Sequence, residues 1–155
     1  MNISQLIHRD AGQSRQVSVV GDLYSFLAEG SETNGRYALF EAVVPPGGGP
    51  PPHIHTREIE AFFVLEGEIE FQAAGEPLTA GPGQFLQIPI GTLHAFRNIS
   101  NAPARMLILV APAGLDQFFL EVGTPSRVPL PPSPEDVQRV LALAPRYGIE
   151  IQASH

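Results

Sequence analysis

From Gln16 to Val110 the apolar residues come in short runs broken by glycine and proline. Segments 16–20, 23–28, 37–44, 60–65, 68–73, 84–88 and 105–110 are rich in Val, Ile, Phe and Leu, which predicts β-strands. Turn-forming residues separate them at 30–35, 45–52, 75–77, 81–83 and 98–103. Many short strands at close spacing predict an antiparallel sandwich or barrel. Helical runs between the strands are missing, which argues against a parallel α/β sheet.

The period changes in the C-terminal part. Leu115, Phe118, Phe119 and Val122 recur at helical spacing after Gly114 and predict a short helix covering the barrel. Ser133, Pro134, Glu135 and Asp136 then supply an N-cap, a proline at the first helical position and early acids. Val137, Val140, Leu141 and Ala144 continue one apolar face, and Pro145 should end or distort that helix. The expectation is one domain over 1–155, with a barrel core at about 16–112 and a helical tail at about 113–155. The helices are expected to pack on the barrel or on a second subunit. The biased stretch 45–52 is too short for a long linker and reads as a rigid approach to a site.

Composition narrows the partners. The chain has 155 residues, 43% hydrophobic and 16% charged, as a folded chain should. The net charge is -7 with only 9 basic residues and no basic cluster, so neither nucleic acid nor an anionic membrane surface is an expected partner. There is no cysteine, so any metal must sit on imidazole and carboxylate. No signal-peptide pattern opens the chain and no apolar run reaches the roughly 18 residues of a membrane helix. The expectation is a soluble, cytoplasmic protein.

Histidine carries the chemistry. His53 and His55 are two apart, so in an extended segment both point to one face. Glu60 follows a short connection; if that connection turns the chain, Glu60 opens the next strand with Phe62 and Val64 on its face. His94 belongs to a later strand, just past the Pro89-Ile90-Gly91 turn. Three imidazoles and a carboxylate suit one divalent transition metal (Fe, Mn, Ni, Cu, Co or Zn) and not Ca or Mg. Taken singly, His-x-His is more often a surface pair, Glu60 more often a solvated charge and His94 more often a hydrogen-bonded barrel residue. Glu58 is weighed as an outer group or alternative ligand and expected at the surface. Arg57 is weighed as a guide for an anionic substrate and expected in solvent. Phe62, Phe85, Phe96 and Tyr37 are weighed as pocket lining against core, and His8 and His155 are read as peripheral.

Two longer patterns organise these residues. Gly47-x5-His53-x-His55-x4-Glu60-x6-Gly67 resembles the first signature of the cupin superfamily. Gly83-x5-Pro89-x-Gly91-x2-His94-x3-Asn98 is similar to the second, with every marked position filled. The segment between them, 68–82, is short, as in compact bacterial single-domain members. The match is densest from about 45 to 98; the flanking strands and the tail resemble small quercetin dioxygenase-like cupins more weakly. The resemblance implies an all-β, antiparallel jelly-roll barrel with a metal in its mouth held by His53, His55, Glu60 and His94. Gly67, Gly83 and Gly91 fall at implied turns or bulges, and Asn98 anchors a turn. The activity implied first is a quercetinase-like dioxygenase acting with O2 on a small enolic or phenolic, flavonol-like substrate, with Glu60 as general base. The alternatives are a Lewis-acid isomerase-type enzyme and a non-catalytic protein that binds a sugar or organic acid. Small cupins commonly pair, so a homodimer is expected.

Overall fold

The computed structural model of the chain describes residues 6–73 and 75–152. Its strands are β1 (Arg15–Val19), β2 (Asp22–Ala28), β3 (Ala38–Val44), β4 (His53–His55), β5 (Ile59–Glu66) and β6 (Ile69–Ala73). There follow β7 (Leu78–Ala80), β8 (Phe85–Ile88), β9 (His94–Asn98) and β10 (Ala104–Ala111). The chain then forms α1 (Leu115–Val122), β11 (Thr124–Pro125), α2 (Pro134–Leu143) and β12 (Ile149–Ile151). All seven predicted runs are strands, each rich in Val, Ile, Phe or Leu and bounded by turn-forming residues.

The strands form two sheets, ordered β11-β1-β2-β3-β10-β5-β8 and β12-β4-β9-β6-β7, with antiparallel pairing throughout. This is the expected antiparallel jelly roll. Its hydrogen bonding runs as two facing sheets, not as one closed ring. Strict alternation on β3 and β10 sends Phe40, Ala42, Val44, Met106, Ile108 and Val110 inward, all buried. Phe26, Phe62, Phe71 and Ile69 complete the layer between the sheets. Each such side chain contributes on the order of 1.5–3 kcal/mol relative to exposure, which holds the frame around the polar site.

Two local features place the site. Val20 and Gly21 form the two-residue loop joining β1 to β2, with φ of 45° and 93°. Positive φ matches the twist of a tight hairpin, yet a β-branched valine is strained there. Val20 is therefore the turn itself and not the end of the predicted strand 16–20. The second feature is the glycine-proline stretch after β3. Gly47 N donates to Asn98 O and Asn98 N donates to Gly48 O, both over 2.9 Å. A Cβ on Gly49 would stand 2.0 Å from the Phe96 carbonyl oxygen, so only glycine permits this approach to β9. Asn98 anchors the turn as expected: its side chain donates to Val44 O and Ala102 O at 2.8 Å and accepts from Ser100 N at 2.8 Å.

The tail departs from a purely helical reading. α1 and α2 form where predicted, and the Ser133 hydroxyl accepts from Asp136 N at 3.1 Å as the N-cap. The helix stops at Leu143, just before Pro145, and a 3-10 turn follows. After Gly148 the chain becomes β12, which pairs with β4 in the register Ile149↔His55 and Ile151↔His53. The end of the described chain thus backs the histidine strand. Among the described residues no helix is long and apolar enough to cross a membrane.

Candidate metal centre

Three strands and one turn deliver four side chains to one point. β4 carries His53 and His55 on the same buried face, as two-residue periodicity requires. His94 opens β9 directly opposite His53. Residues 56–58 carry the chain from β4 in one sheet to β5 in the other, so the connection does turn. Glu60 then faces inward with Phe62 and Val64, all three buried.

The distances are those of a shared centre. His53 Nε2 is 3.1 Å from His55 Nε2. Glu60 Oε1 is 2.9 Å from His94 Nε2 and 3.3 Å from His55 Nε2. One donor atom from each of the four residues lies within 4.8 Å of the others, and the group can hold a metal ion.

The outer ring nitrogens fix the tautomers. His53 Nδ1 meets Pro51 O and His94 Nδ1 meets Thr92 O, each at 2.9 Å. A carbonyl only accepts, so both Nδ1 atoms carry the proton. His55 Nδ1 donates to Glu58 Oε1 at 2.9 Å. Each Nε2 thereby points at the centre and, once its proton is lost to an incoming metal, would offer its lone pair there, the arrangement that outer hydrogen bonds impose on metal-binding histidines.

Charge follows geometry. Burial works against a charged His55, but the Glu60 carboxylate and the bonds to Glu58 and Glu60 outweigh it and raise its pKa to about 10. Burial pushes His53 down to about 4, with Glu60 opposing and the charge on His55 adding to the fall. Burial also disfavours an ionised Glu60, yet charged His55 and the bonds from His55 and His94 hold it well below the usual carboxylate range. With no metal bound, one proton on the His53–His55 pair serves as the cation between facing lone pairs and the carboxylate.

His53, His55 and Glu60 form part of the wall of a cavity of about 140 Å³; His94 is not part of that wall. The rest is mainly apolar, with Phe96, Ile108, Phe118 and Phe119 from the barrel and α1. Val137 and Leu141 of α2 close the outer side while remaining partly exposed.

The other candidates sort clearly. Phe96 lines the cavity and Phe62 is core. Phe85 is neither: it is 66% exposed on the outer face, beside Phe63 across β8 and β5. Tyr37 precedes β3, is half-buried and does not reach the cavity. Tyr24 does, stacked on Phe119 at 4.1 Å, and parity with Phe26 on β2 would have found it. Glu58, expected at the surface, is only 3% exposed because its carboxylate is drawn in by His55. Arg57 is exposed and donates to Arg146 O at 3.2 Å. His8 is peripheral, and His155 lies outside the described residues.

The jelly roll and the converged histidines are the arrangement that the two cupin signatures imply. The model of the Cupin domain family matches residues 40–110, so this part of the chain is a cupin domain. Quercetin 2,3-dioxygenase of Bacillus subtilis (strain 168) is 25% identical over 116 residues, covering 75% of this chain and 34% of that protein. Polyketide synthase CurC of Streptomyces cyaneus is 34% identical over 94 residues, covering 59% of this chain and 60% of that protein. The chain therefore spans less than two thirds of the length of these relatives. Among solved structures, the polyketide cyclase RemF from Streptomyces resistomycificus aligns with a TM-score of 0.59 at 24% identity, over 68% of this chain and 80% of that one. An RmlC-like cupin from Shewanella frigidimarina aligns at 0.60 and 18%, over 71% and 95%. At these identities the structures speak for the fold alone.

Proposed function

We propose that this chain is a metal-dependent cupin enzyme acting on a small enolic or phenolic substrate, with dioxygenation as the leading reaction. The observation that carries it is the convergence of three imidazole Nε2 atoms and the Glu60 carboxylate at one point, with His53, His55 and Glu60 also in the wall of an apolar cavity.

The donor set fits a transition metal. Ligands about 2.1 Å from one ion stand about 3 Å apart at right angles and about 4.2 Å apart when opposed. The separations of 2.9, 3.1 and 3.3 Å match the first case. Burying an ionised carboxylate costs several kcal/mol unless it is paired. A divalent ion held by His53, His55, Glu60 and His94 would offset that cost in place of the proton on His55. Bound there, such a metal would supply Lewis acidity and, if redox-active, a path for electrons between an enolate and O2.

The chain's own residues do the rest. Phe96, Ile108 and Phe118 exclude water and fit a flat ring. Glu60 is kept ionised and can accept a hydrogen bond from a substrate hydroxyl; as general base it acts on the more acidic hydroxyls of enols and phenols, because the same charges that keep it ionised weaken its basicity. Glu58 holds the ring of His55 in place.

A second reading has support from one relative. The match to Polyketide synthase CurC, whose name is not that of an oxygenase, favours the Lewis-acid reading, an isomerase-type enzyme with the metal only polarising a carbonyl. Anaerobic mixing of metal-loaded protein with a panel of flavonols and other enols, followed by admission of air, separates the two. O2 uptake that follows substrate supports dioxygenation. Full turnover with redox-inert zinc and no O2 uptake supports the second reading. Ligands bound tightly and recovered unchanged with every metal would leave a binding protein.

A further inference from the structure

Asp22 opens β2 and faces inward with Tyr24 and Phe26. It is 4% exposed and lines the same cavity as His53, His55 and Glu60. Among the described residues, its Oδ1 is the one buried side-chain polar atom with no hydrogen-bond partner. Its other oxygen has only the Tyr24 hydroxyl, at a long 3.5 Å. A buried polar group left unpaired is costly to stability, and such groups are rare. The structure nevertheless works to keep this one in place. The strained Val20–Gly21 hairpin sets its position. Gly48 permits its close approach to the backbone, since a Cβ there would stand 3.2 Å from Oδ1. A carboxyl turns about its last torsion at little cost, so it can present either oxygen to the cavity.

We propose that Asp22 is a second polar anchor of the substrate pocket, hydrogen-bonding one oxygen of a flat ring whose other oxygen faces the His53–His55–Glu60–His94 cluster. This rests on the small-ring reading above and narrows it. The substrate unit that enters is one ring with two separated oxygen functions. A dry apolar cavity of about 150 Å³ holds a single benzene ring, and this one measures about 140 Å³, so larger substrates insert one ring and leave the remainder at the mouth. Burial also raises the Asp22 carboxyl to about 7, against the weaker effect of the Tyr24 bond, so both a donor and an acceptor form are present near neutrality.

The test compares phenol with resorcinol and hydroquinone, whose two oxygens cannot both reach one metal. Protein loaded with cobalt(II) is titrated calorimetrically, and the visible cobalt band reports oxygen arriving at the metal. The expected result is binding of one of the two diols about tenfold tighter than phenol, the worth of one added hydrogen bond. Asp22→Leu should abolish that preference and keep the phenol affinity within about threefold. If Asp22→Leu does not fold, the carboxyl carbon of labelled Asp22 in the zinc-loaded wild type decides. Its resonance should move with the preferred diol and not with phenol. A preference that survives Asp22→Leu, a wild type without preference or an unmoved carboxyl resonance overturns the inference while leaving the metal-site reading intact. No binding of any ring and no change in the cobalt band removes that reading, and the role of Asp22 with it.

Discussion

His55 donates from Nδ1 to Glu58 Oε1 over 2.9 Å, with both side chains almost wholly withdrawn from solvent. Glu58 thereby decides which nitrogen of His55 faces the centre and how strongly it donates. Removing such a partner typically weakens metal binding about 10- to 100-fold without touching a ligand. Glu58→Ala should lose affinity in that range in a chelator competition. Glu58→Gln, which still accepts the bond but carries no charge, should fall between it and the wild type. Unchanged affinity in Glu58→Ala would mean that the contact is incidental.

Metal uptake should release a proton. His55 holds one until about pH 10 in the metal-free cluster, whereas His53 does not gain one until about pH 4. Between those limits the ion displaces one proton, so affinity falls as pH falls. The expected slope is about tenfold per pH unit across roughly pH 5–9. Competition titrations in a series of buffers measure it, and a flat profile would rule out a protonated pair at the centre.

Much of the fold was readable because the longer strands are runs of Val, Ile, Phe and Leu bounded by glycine and proline. β3 and β10 run over seven and eight residues. β4, β7, β11 and β12 have two or three residues each, too few for any period to appear. β12 was hidden further by the helix before it, although Ile149-Glu150-Ile151 does alternate. The convergence of His53 and His55 followed from parity alone, whereas Glu60 and His94 needed the paired signatures. Glu58 was misjudged because a charged residue in a turn ordinarily sits in water, and its burial depends on where His55 ends up. Phe85 was misjudged for the opposite reason: its strand lies at a sheet edge, where an apolar side chain can face outward.

The hairpin at Val20 offers a gain in stability. Asparagine accepts positive φ more readily than a β-branched residue, and Asn-Gly is the preferred pair for this loop. Val20→Asn should stabilise the fold by about 0.5–1 kcal/mol in denaturant melts. A loss of stability would show that the contacts of the valine with the cavity outweigh its backbone strain.

Gly148 joins the 3-10 turn to β12 with φ of 70°. A Cβ there would come within 2.7 Å of Thr56 Oγ1 and Arg57 Nε. Thr56 N also donates to Gly148 O at 2.9 Å, tying this point to the end of β4. Gly148→Ala should cost about 1–3 kcal/mol and loosen β12 from the histidine strand. Hydrogen exchange at Ile149 and Ile151 reads the second effect, and unaltered protection would contradict it.

The central proposal is that His53, His55, Glu60 and His94 hold one metal ion. Elemental analysis of untagged protein, purified without chelators beside His53→Ala and His94→Ala, tests this most directly. About one equivalent of a transition metal is expected in the wild type, and a small fraction of that in each variant, with folding verified by circular dichroism. Full metal content in both variants would contradict the assignment.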